Sequence, residues 1–309
     1  MRICVLIVDD VFDTGLSSIL DTFETANDLA GETRFDVTVA SPRRSVRSHL
    51  GFSIPVTTPP ATADLVMVPA LACKQPDTIL AALDRPDVCA LIETVQRLAK
   101  RSHVSAACTG TFVLGRAGVL DGKRATTTWW LGPTFRQAFP AVELEEAQMV
   151  VADERVVTAG AALAHIDLAL AVIRDRSPDL AATVARYLLI DDRASQAPFV
   201  VPSQVAHDDE VVKKFERWVR KRLGEPFDLA KAARAVGASE RTLQRRVRAV
   251  LGKPPIGFVQ DLRLERAVHL LRVSKDSVDE IAATVGYEDG STLRTLLRRR
   301  LHTGVRDLR

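Results

Sequence analysis

One pattern occurs twice in the last hundred residues and constrains the chain more than any other feature. "LAKAARAVGASERTLQRRVRAVLG" begins at Leu229, and "VDEIAATVGYEDGSTLRTLLRRRLH" begins at Val278. Each copy reads as a short apolar helix, a Val-Gly pair (Val236-Gly237, Val285-Gly286), a tight turn, and a basic helix anchored by Leu243 or Leu293. Glycine lets a helix stop in the left-handed conformation without a Cβ penalty. Ser239 is placed to cap the helix after the first turn, and Asp289 or Ser291 the helix after the second. Ser277-Val-Asp-Glu280 is a capping box for the helix that opens the second copy. Helix, short turn and helix, used twice, is the organisation of a DNA-reading module.

On a helix, residues 239–251 sort into two faces. Leu243, Val247 and Val250/Leu251 recur on one side, and Arg241, Gln244, Arg245 and Arg248 fall opposite. The second basic helix divides likewise, with Leu293, Leu296/Leu297 and Leu301 inward and Ser291, Arg294, Thr295 and Arg298 outward. Arg and Gln suit the major-groove edges of guanine and adenine, at ~1–3 kcal/mol per good bidentate pair. A phosphate contact, with Arg248 as the candidate, adds affinity that falls steeply with salt. Between the copies, "PPIGFVQDLRLERAVHLLR" is a single helical pattern with Phe258, Leu262, Ala267 and Leu270/Leu271 on its apolar side. About 17 residues at 1.5 Å each make a spacer of ~25 Å. A rigid spacer of that size can hold two reading helices about one DNA turn, ~34 Å, apart.

The charge distribution agrees. Residues 1–207 carry 19 Lys and Arg against 24 Asp and Glu, a net −5, whereas residues 208–309 carry 23 against 15, a net +8. Basic excess confined to one module points that module at a polyanion. At 309 residues, 47% hydrophobic and 26% charged, the chain predicts two or three globular domains. No run approaches 18 uninterrupted apolar residues, since even "AGAALAHIDLALAVI" contains His165 and Asp167, so no membrane span is expected. MRICVLIVDD reads as a buried strand rather than a signal peptide. Cys4, Cys73, Cys89 and Cys108 lack metal-type spacing, so reduced thiols, no metal and a cytoplasmic location are expected.

Residues 1 to about 190 alternate between two periods. ICVLIVDD, FDVTVAS, ADLVMVP and HVSAAC suit strands buried on both faces. LSSILDTFETANDLA, PDTILAALDRPDVCALIETVQRLAKR (broken near Pro86) and AALAHIDLALAVIRD suit helices between and after them. Such alternation predicts a mainly parallel sheet with helices on both faces. "DDRASQAPFVVPSQVAHDDE" then loses all periodicity and reads as a linker. The expected organisation is an α/β domain over 1–192, a linker over 193–209 and an all-α domain over 210–309.

Within "HVSAACTGTFVLGRAGVLDGKRATTTWW", a strand turns sharply at Cys108 into a helix opening on Gly110-Thr111. A thiol at such a turn has the geometry of an exposed nucleophile. It still needs a base, because a pKa of ~8.5 leaves only a few per cent as thiolate at neutral pH. His103 lies at the far end of the strand, and His165 follows the Ala159-Gly160 turn; neither is expected to serve. Asp167 cannot pair with His165, because i and i+2 do not face each other on a helix.

These residues carry two resemblances. The tail resembles the AraC/XylS-type DNA-binding domain over about 95 residues. The match rests on Leu229-Ala230, Ser239-x-x-x-Leu243-x-Arg245, Gly252-x-Pro254-Pro255, Arg263-Leu264-x-x-Ala267 with Leu270-Leu271, and Ile281-Ala282-x-x-x-Gly286-Tyr287-x-Asp289-x-Ser291. The resemblance implies base contacts from Arg241, Gln244 and Arg245 in the first copy and from Ser291 and Thr295 in the second. The ending departs from the family's aromatic and Gly-x-Thr-Pro-x-x-Tyr-Arg close, with Leu293, Leu297, His302, Gly304-Val305 and Leu308-Arg309. The front resembles the class I glutamine amidotransferase-like, PfpI-type fold, a flavodoxin-like α/β domain, most closely from Ala107 to Trp129. Enzymes of that superfamily use an elbow cysteine, here Cys108, and a histidine about twenty residues on, where this chain has Thr128. The family's acidic residue near the start falls at about Gly15. Front and tail together resemble the GlxA-family transcriptional regulators.

The reading favoured is a one-component regulator that binds promoter DNA as a homodimer, with RNA polymerase as a further partner and an unidentified small molecule as effector. Asp13, Cys108, Thr109, Thr128 and Trp129 are the effector-pocket candidates, and no cofactor or catalytic residue is assigned. The alternatives are a cysteine-dependent amidohydrolase or glyoxalase-like enzyme carrying a DNA-binding tail, and an architectural protein whose front only oligomerises.

Overall fold

The computed structural model describes residues 1–191, 193–196, 199–201, 205, 209–301 and 304–308. They form two compact units, Met1–Gln196 and Ala197–Arg309.

The first unit runs β1 (Arg2–Leu6), α1 (Asp13–Ala30), β2 (Asp36–Ala40), a small hairpin of β3 (Val46–Arg47) and β4 (Ser53–Ile54), β5 (Leu65–Val68), α2 (Pro76–Leu83), α3 (Pro86–Ala99) and β6 (His103–Ala107). It continues with α4 (Gly110–Arg116), β7 (Arg124–Ala125), α5 (Gly132–Ala138), β8 (Glu143–Leu144), β9 (Val150–Asp153), β10 (Val156–Ala159), α6 (Ala164–Arg176) and α7 (Pro178–Tyr187). Six strands make one sheet in the order β2-β1-β5-β6-β10-β9. Every neighbouring pair is parallel except β9 and β10, with registers such as Ile3↔Val37, Ile3↔Leu65, Leu65↔His103 and Val104↔Val156.

Strand side chains alternate between faces, so a strand covered on both sides reads as a continuous apolar run. Ile3, Val5, Ile7, Leu65 and Met67 enter a core with Leu16, Ile19 and Phe23 of α1, Leu168 and Ile173 of α6, and Leu180 and Val184 of α7. The intervening Cys4, Leu6, Val66 and Val68 are equally buried, on the side where α3 and α4 pack against β5 and β6. Pro86 ends the long helical pattern as expected, since proline removes a donor and suits the first turn of the next helix. The β9–β10 hairpin, turning at left-handed Glu154 (φ 51°), was not read from the sequence.

The boundary expected at residue 192 needs correction. The Met149 amide donates to Ala194 O (3.1 Å), Ser195 bridges Gln148, and Gln196 is fully buried. Residues 193–196 therefore belong to the first unit, not to a linker. Positions 192, 197, 198, 202–204 and 206–208 lie outside the described residues.

The second unit is helical: α8 (Glu210–Arg220), α9 (Leu229–Ala235), α10 (Glu240–Leu251), α11 (Pro255–Val273), α12 (Val278–Thr284), α13 (Gly290–Leu301) and α14 (Val305–Leu308). Gly237 and Gly286 hold φ of 70° and 84° at the two turns. Ser239 caps α10 by accepting from the Thr242 amide, and the Ser277–Glu280 capping box opens α12. Asp289, rather than Ser291, caps α13 by accepting from the Thr292 amide (2.7 Å). His302 and Arg309 lie outside the described residues, and of Leu301 only the backbone is described.

The spacer α11 has 19 residues, a length of ~28 Å. It serves two cores at once, which blurs its single-face pattern. Phe258, Val259 and Leu262 pack with α8, α9 and α10, while Leu264, Ala267 and Leu271 pack with α12 and α13. Arg263, between those sets, is buried and donates to Gly286 O (2.9 Å) and Glu225 O (2.6 Å) while lying over the Tyr287 ring. A Cβ at Gly286 would come within 2.5 Å of Leu223 O and 2.7 Å of the Arg263 guanidinium. Glycine is thus required there by space as well as by backbone angle. Among the described residues, no helix is long and apolar enough to cross a membrane.

Candidate functional site

The loops following β1, β5, β6 and β10 meet around Cys108, outside the carboxyl ends of the strands, where open α/β sheets bind ligands. Cys108 takes a left-handed φ of 56°, which costs a residue with a Cβ about 1–2 kcal/mol. The turn is held on every side. The Cys108 amide donates to Ala159 O (2.9 Å), Thr127 Oγ1 donates to Cys108 O (2.7 Å), and Thr109 Oγ1 donates to Leu71 O (2.6 Å). A Cβ on Gly110 would come within 2.4 Å of Val68 O, so only glycine lets α4 start this close to β5.

The elbow geometry is present, yet its chemistry is closed. Cys108 is 4% exposed, and burial pushes its thiol up to about 12, against the lowering effect of the Thr109 amide and the Thr128 and Thr109 hydroxyls. A thiol with a raised pKa is mostly protonated at neutral pH, and the thiol reacts far more slowly than the thiolate. His165 offers no base. Its Nε2 accepts from the Ala70 amide (3.0 Å), its Nδ1–H donates to Ala162 O (2.5 Å), and burial lowers it to about 4. Both ring nitrogens of the neutral imidazole are used. The ring lies against Gly15, where a Cβ would come within 2.7 Å of Nε2. The place that the resemblance gives to an acidic side chain is therefore filled by an imidazole from α6. Asp167 pairs with Arg193 instead. His103 is exposed at the opposite end of β6, ~16 Å away along five extended residues.

Of the pocket candidates, Cys108, Thr109 and Thr128 come together. Trp129 is half-buried and packs edge-on against Trp130 (5.4 Å). Asp13 is not brought to the thiol: its carboxylate accepts from the Leu50 amide (3.0 Å) and steadies the β3–β4 hairpin. Two residues near this wall were assigned no part by the sequence, Thr127 and Gln196, while Gly15 and Thr111, noted there only for their positions, also lie beside His165 and in the helix after the elbow. Thr111 Oγ1 and Gln196 Oε1 are buried with no hydrogen-bond partner among the described residues. The Thr128 hydroxyl lies beside the thiol and has no hydrogen-bond partner among the described residues.

The outer faces of α10 and α13 are built the opposite way. Leu243, Val247 and Leu251 are buried and pin α10 to its core, as Leu293 and Leu297 pin α13. Arg241, Gln244, Arg245 and Arg248 are exposed, and among the described residues none of these arginines has an ion-pair partner. Arg246, on the docking side, pairs with Asp209 (3.4 Å). On α13, Arg294 and Arg298 are likewise exposed and unpaired among the described residues, whereas Arg300 is tied to Asp261 and Gln260. The Ser291 hydroxyl donates to Asp289 (2.6 Å) and that of Thr295 to Ser291 O (3.0 Å). Both remain acceptors at the surface, but their protons are already committed. The basic helix of the first helix-turn-helix copy, α10, thus presents the fuller donor set.

Comparison with known proteins assigns both halves. The DJ-1/PfpI family profile matches residues 1–175, more than half of the chain, and a helix-turn-helix domain profile matches residues 232–309. The chain belongs to the DJ-1/PfpI family. This DJ-1/PfpI-family chain carries an AraC-type helix-turn-helix region as its second unit. It is 27% identical over 300 residues to the HTH-type transcriptional regulator GbdR of Pseudomonas aeruginosa, covering 91% of this chain and 77% of that one. It is 29% identical over 216 residues to the HTH-type transcriptional regulator GlxA of Rhizobium meliloti, covering 66% and 64%. Its α/β fold is shared by an AraC family transcriptional regulator from Pseudomonas putida (TM-score 0.51, 22% identity, 60% of this chain, 98% of that one). A transcriptional regulator protein from Vibrio parahaemolyticus shares it too (TM-score 0.52, 22% identity, 61% and 98%).

Proposed function

We propose that this helix-turn-helix regulator reads a two-part DNA site through the outer faces of α10 and α13, while its DJ-1/PfpI unit serves as a non-catalytic module for sensing and for pairing two copies. The observation that carries this reading is the row Arg241, Gln244, Arg245 and Arg248, exposed opposite a buried leucine face. Arg241, Gln244 and Arg245 take the base-reading role, Arg248 the phosphate role, and Ser291, Arg294, Thr295 and Arg298 the second half-site. The similarity to the HTH-type transcriptional regulators GbdR and GlxA supports the assignment.

The first unit acts as a sensor only if a ligand binds two arrangements of the chain with different affinity. The buried polar wall of Cys108, Thr109 and Thr128 is the place proposed for that small molecule. An enzyme reading finds no support in a protonated thiol and an imidazole already using both nitrogens. In the cell, the protein is proposed to act in the cytoplasm as a homodimer on promoter DNA, in contact with RNA polymerase.

The test is selection of genomic fragments by the full-length chain, with and without a small-molecule extract of the host. Recovered fragments are expected to share two short conserved blocks about one helical turn apart, with occupancy changed by the extract. Fragments with no common sequence would defeat the reading.

A further inference from the structure

The last residues of the first unit precede the helix-turn-helix unit in the sequence, and they are fastened beside the elbow. Met149 N–H donates to Ala194 O (3.1 Å), Gln196 N–H to Ala147 O (2.9 Å), and Ser195 Oγ to Ala147 O (2.7 Å). From this added edge the Gln196 side chain turns inward and is fully buried. Its Nε2 donates to Thr127 O (2.9 Å), Thr126 Oγ1 (3.2 Å) and Gln148 O (3.3 Å). Its Oε1 faces Gly160, where a Cβ would come within 2.6 Å, and finds no donor among the described residues. On the other side of the same tripeptide, Thr127 Oγ1 donates to Cys108 O, and the Thr128 hydroxyl lies at the thiol. Residues 126–128 are thus a shared wall between the elbow and the exit of the chain.

We propose that Gln196 is a positioning residue that locks the exit segment onto this wall, so that filling the elbow and releasing the segment are one equilibrium. Burying a glutamine costs side-chain entropy, and an unmet carbonyl costs more. Inside the wall the side chain is held through its amide donors, with three bonds of residues 194–196 at the edge, a small set that can open together. Cys108 is buried with the Thr128 hydroxyl beside its thiol, so a group added there is expected to press on the Thr127–Thr128 wall, whose Thr127 carbonyl is the nearest acceptor of Gln196. Thermodynamic coupling is reciprocal, so release of Gln196 must in turn loosen the elbow. The inference rests on the regulator reading, because the released segment leads to the DNA-binding unit.

The test uses the full chain, with iodoacetamide as the probe of Cys108 and peptide-resolved mass spectrometry to separate it from Cys73 and Cys89. Alkylation of Cys108 is expected to speed hydrogen exchange at 147–149 and 194–196 at least tenfold, with β1 and β5 unchanged. Conversely, Gln196→Ala is expected to speed Cys108 alkylation at least tenfold and to change affinity for a selected DNA site at least fivefold. Unchanged exchange on alkylation, or wild-type alkylation and DNA affinity in Gln196→Ala, would overturn the lock. If Gln196→Ala loses protection in β1 and β5, the alkylation arm, which needs no substitution, decides. A wild-type chain that selects no DNA sequence defeats the regulator reading instead, and the exchange and alkylation pair still judges the lock.

Discussion

Cys108 and Arg245 both look like working residues in the sequence, and the molecule treats them in opposite ways. The thiol sits in a strained turn that ordinarily presents a nucleophile, yet it is buried with its pKa pushed up, and the nearby His165 uses both ring nitrogens on backbone groups. The guanidinium of Arg245 is on a regular helix with no strain, and among the described residues its donors have no ionic partner. Function is read more safely from unspent polar capacity than from a motif. At the elbow, the imidazole and the Thr109 and Thr127 hydroxyls are spent on backbone groups inside the protein; on α10 and α13 the arginine donors face outward. Four experiments can break or sharpen this contrast.

The largest effect is expected from His165. Its pKa falls from the usual 6.5 to about 4 in the folded protein. Its contribution to stability is therefore fully present above pH 6.5 and is lost as the pH falls toward 4. At ~1.4 kcal/mol per pKa unit this amounts to about 3 kcal/mol. Urea unfolding at pH 7 and pH 4.5 measures it, with Trp129 and Trp130 as reporters in a Trp218→Phe background. His165→Gln should remove that part of the pH dependence. If wild type and variant lose stability in parallel, the imidazole titrates freely beside the elbow and a base is available after all.

Arg245→Ala comes next. A bidentate base contact predicts a loss of ~1–3 kcal/mol confined to one position of the site, with relaxed preference there. Binding to a panel of single-base variants checks it. Equal weakening on every sequence would make Arg245 a phosphate contact and move base reading to its neighbours.

The two regions also differ in how far the sequence revealed them. The four strands, the helices around them, both glycine turns and the outward arginines were all legible, because each depends on a local period or a local backbone demand, although β2, expected to be buried on both faces, is a half-exposed edge strand. The closing of the elbow was not. His165 reaches Ala70 and Gly15 across 95 and 150 positions, and Gln196 reaches Thr127 across 69. No periodicity encodes such pairings. Gln196 lies in a stretch whose mixed polarity reads as linker, and only the tertiary fold shows that three of its neighbours carry hydrogen bonds into the first unit. Arg263 was visible as part of a resemblance, but its task of joining the Gly286 turn to the Glu225 carbonyl depends on contacts 23 and 38 residues away.

Arg248→Ala is a smaller and qualitatively different perturbation. A phosphate contact should lower the slope of log affinity against log salt by ~1 on every sequence, about a fourfold change in relative affinity between 50 and 200 mM. Salt titrations on the selected site and on an unrelated duplex measure it together. A loss confined to the selected site would place Arg248 with Arg245 as a base reader and widen the reading face.

The smallest effect is expected where an enzyme would show the largest. Cys108→Gly relieves a left-handed residue, gaining ~1 kcal/mol, and removes a small buried side chain, losing about as much. The two terms oppose each other, so chemical unfolding should move by less than about 1 kcal/mol. Affinity for the selected DNA should stay within twofold, because shrinking the residue, unlike alkylating it, leaves the Thr127–Thr128 wall and Gln196 in place. In a working elbow the same substitution would remove the nucleophile and abolish turnover while leaving the fold intact. A Cys108→Gly chain with unaltered DNA binding and a lost amidase or glyoxalase activity would therefore reverse the contrast: the thiol would be the unspent group, and the closed state seen here would be a resting form of an enzyme.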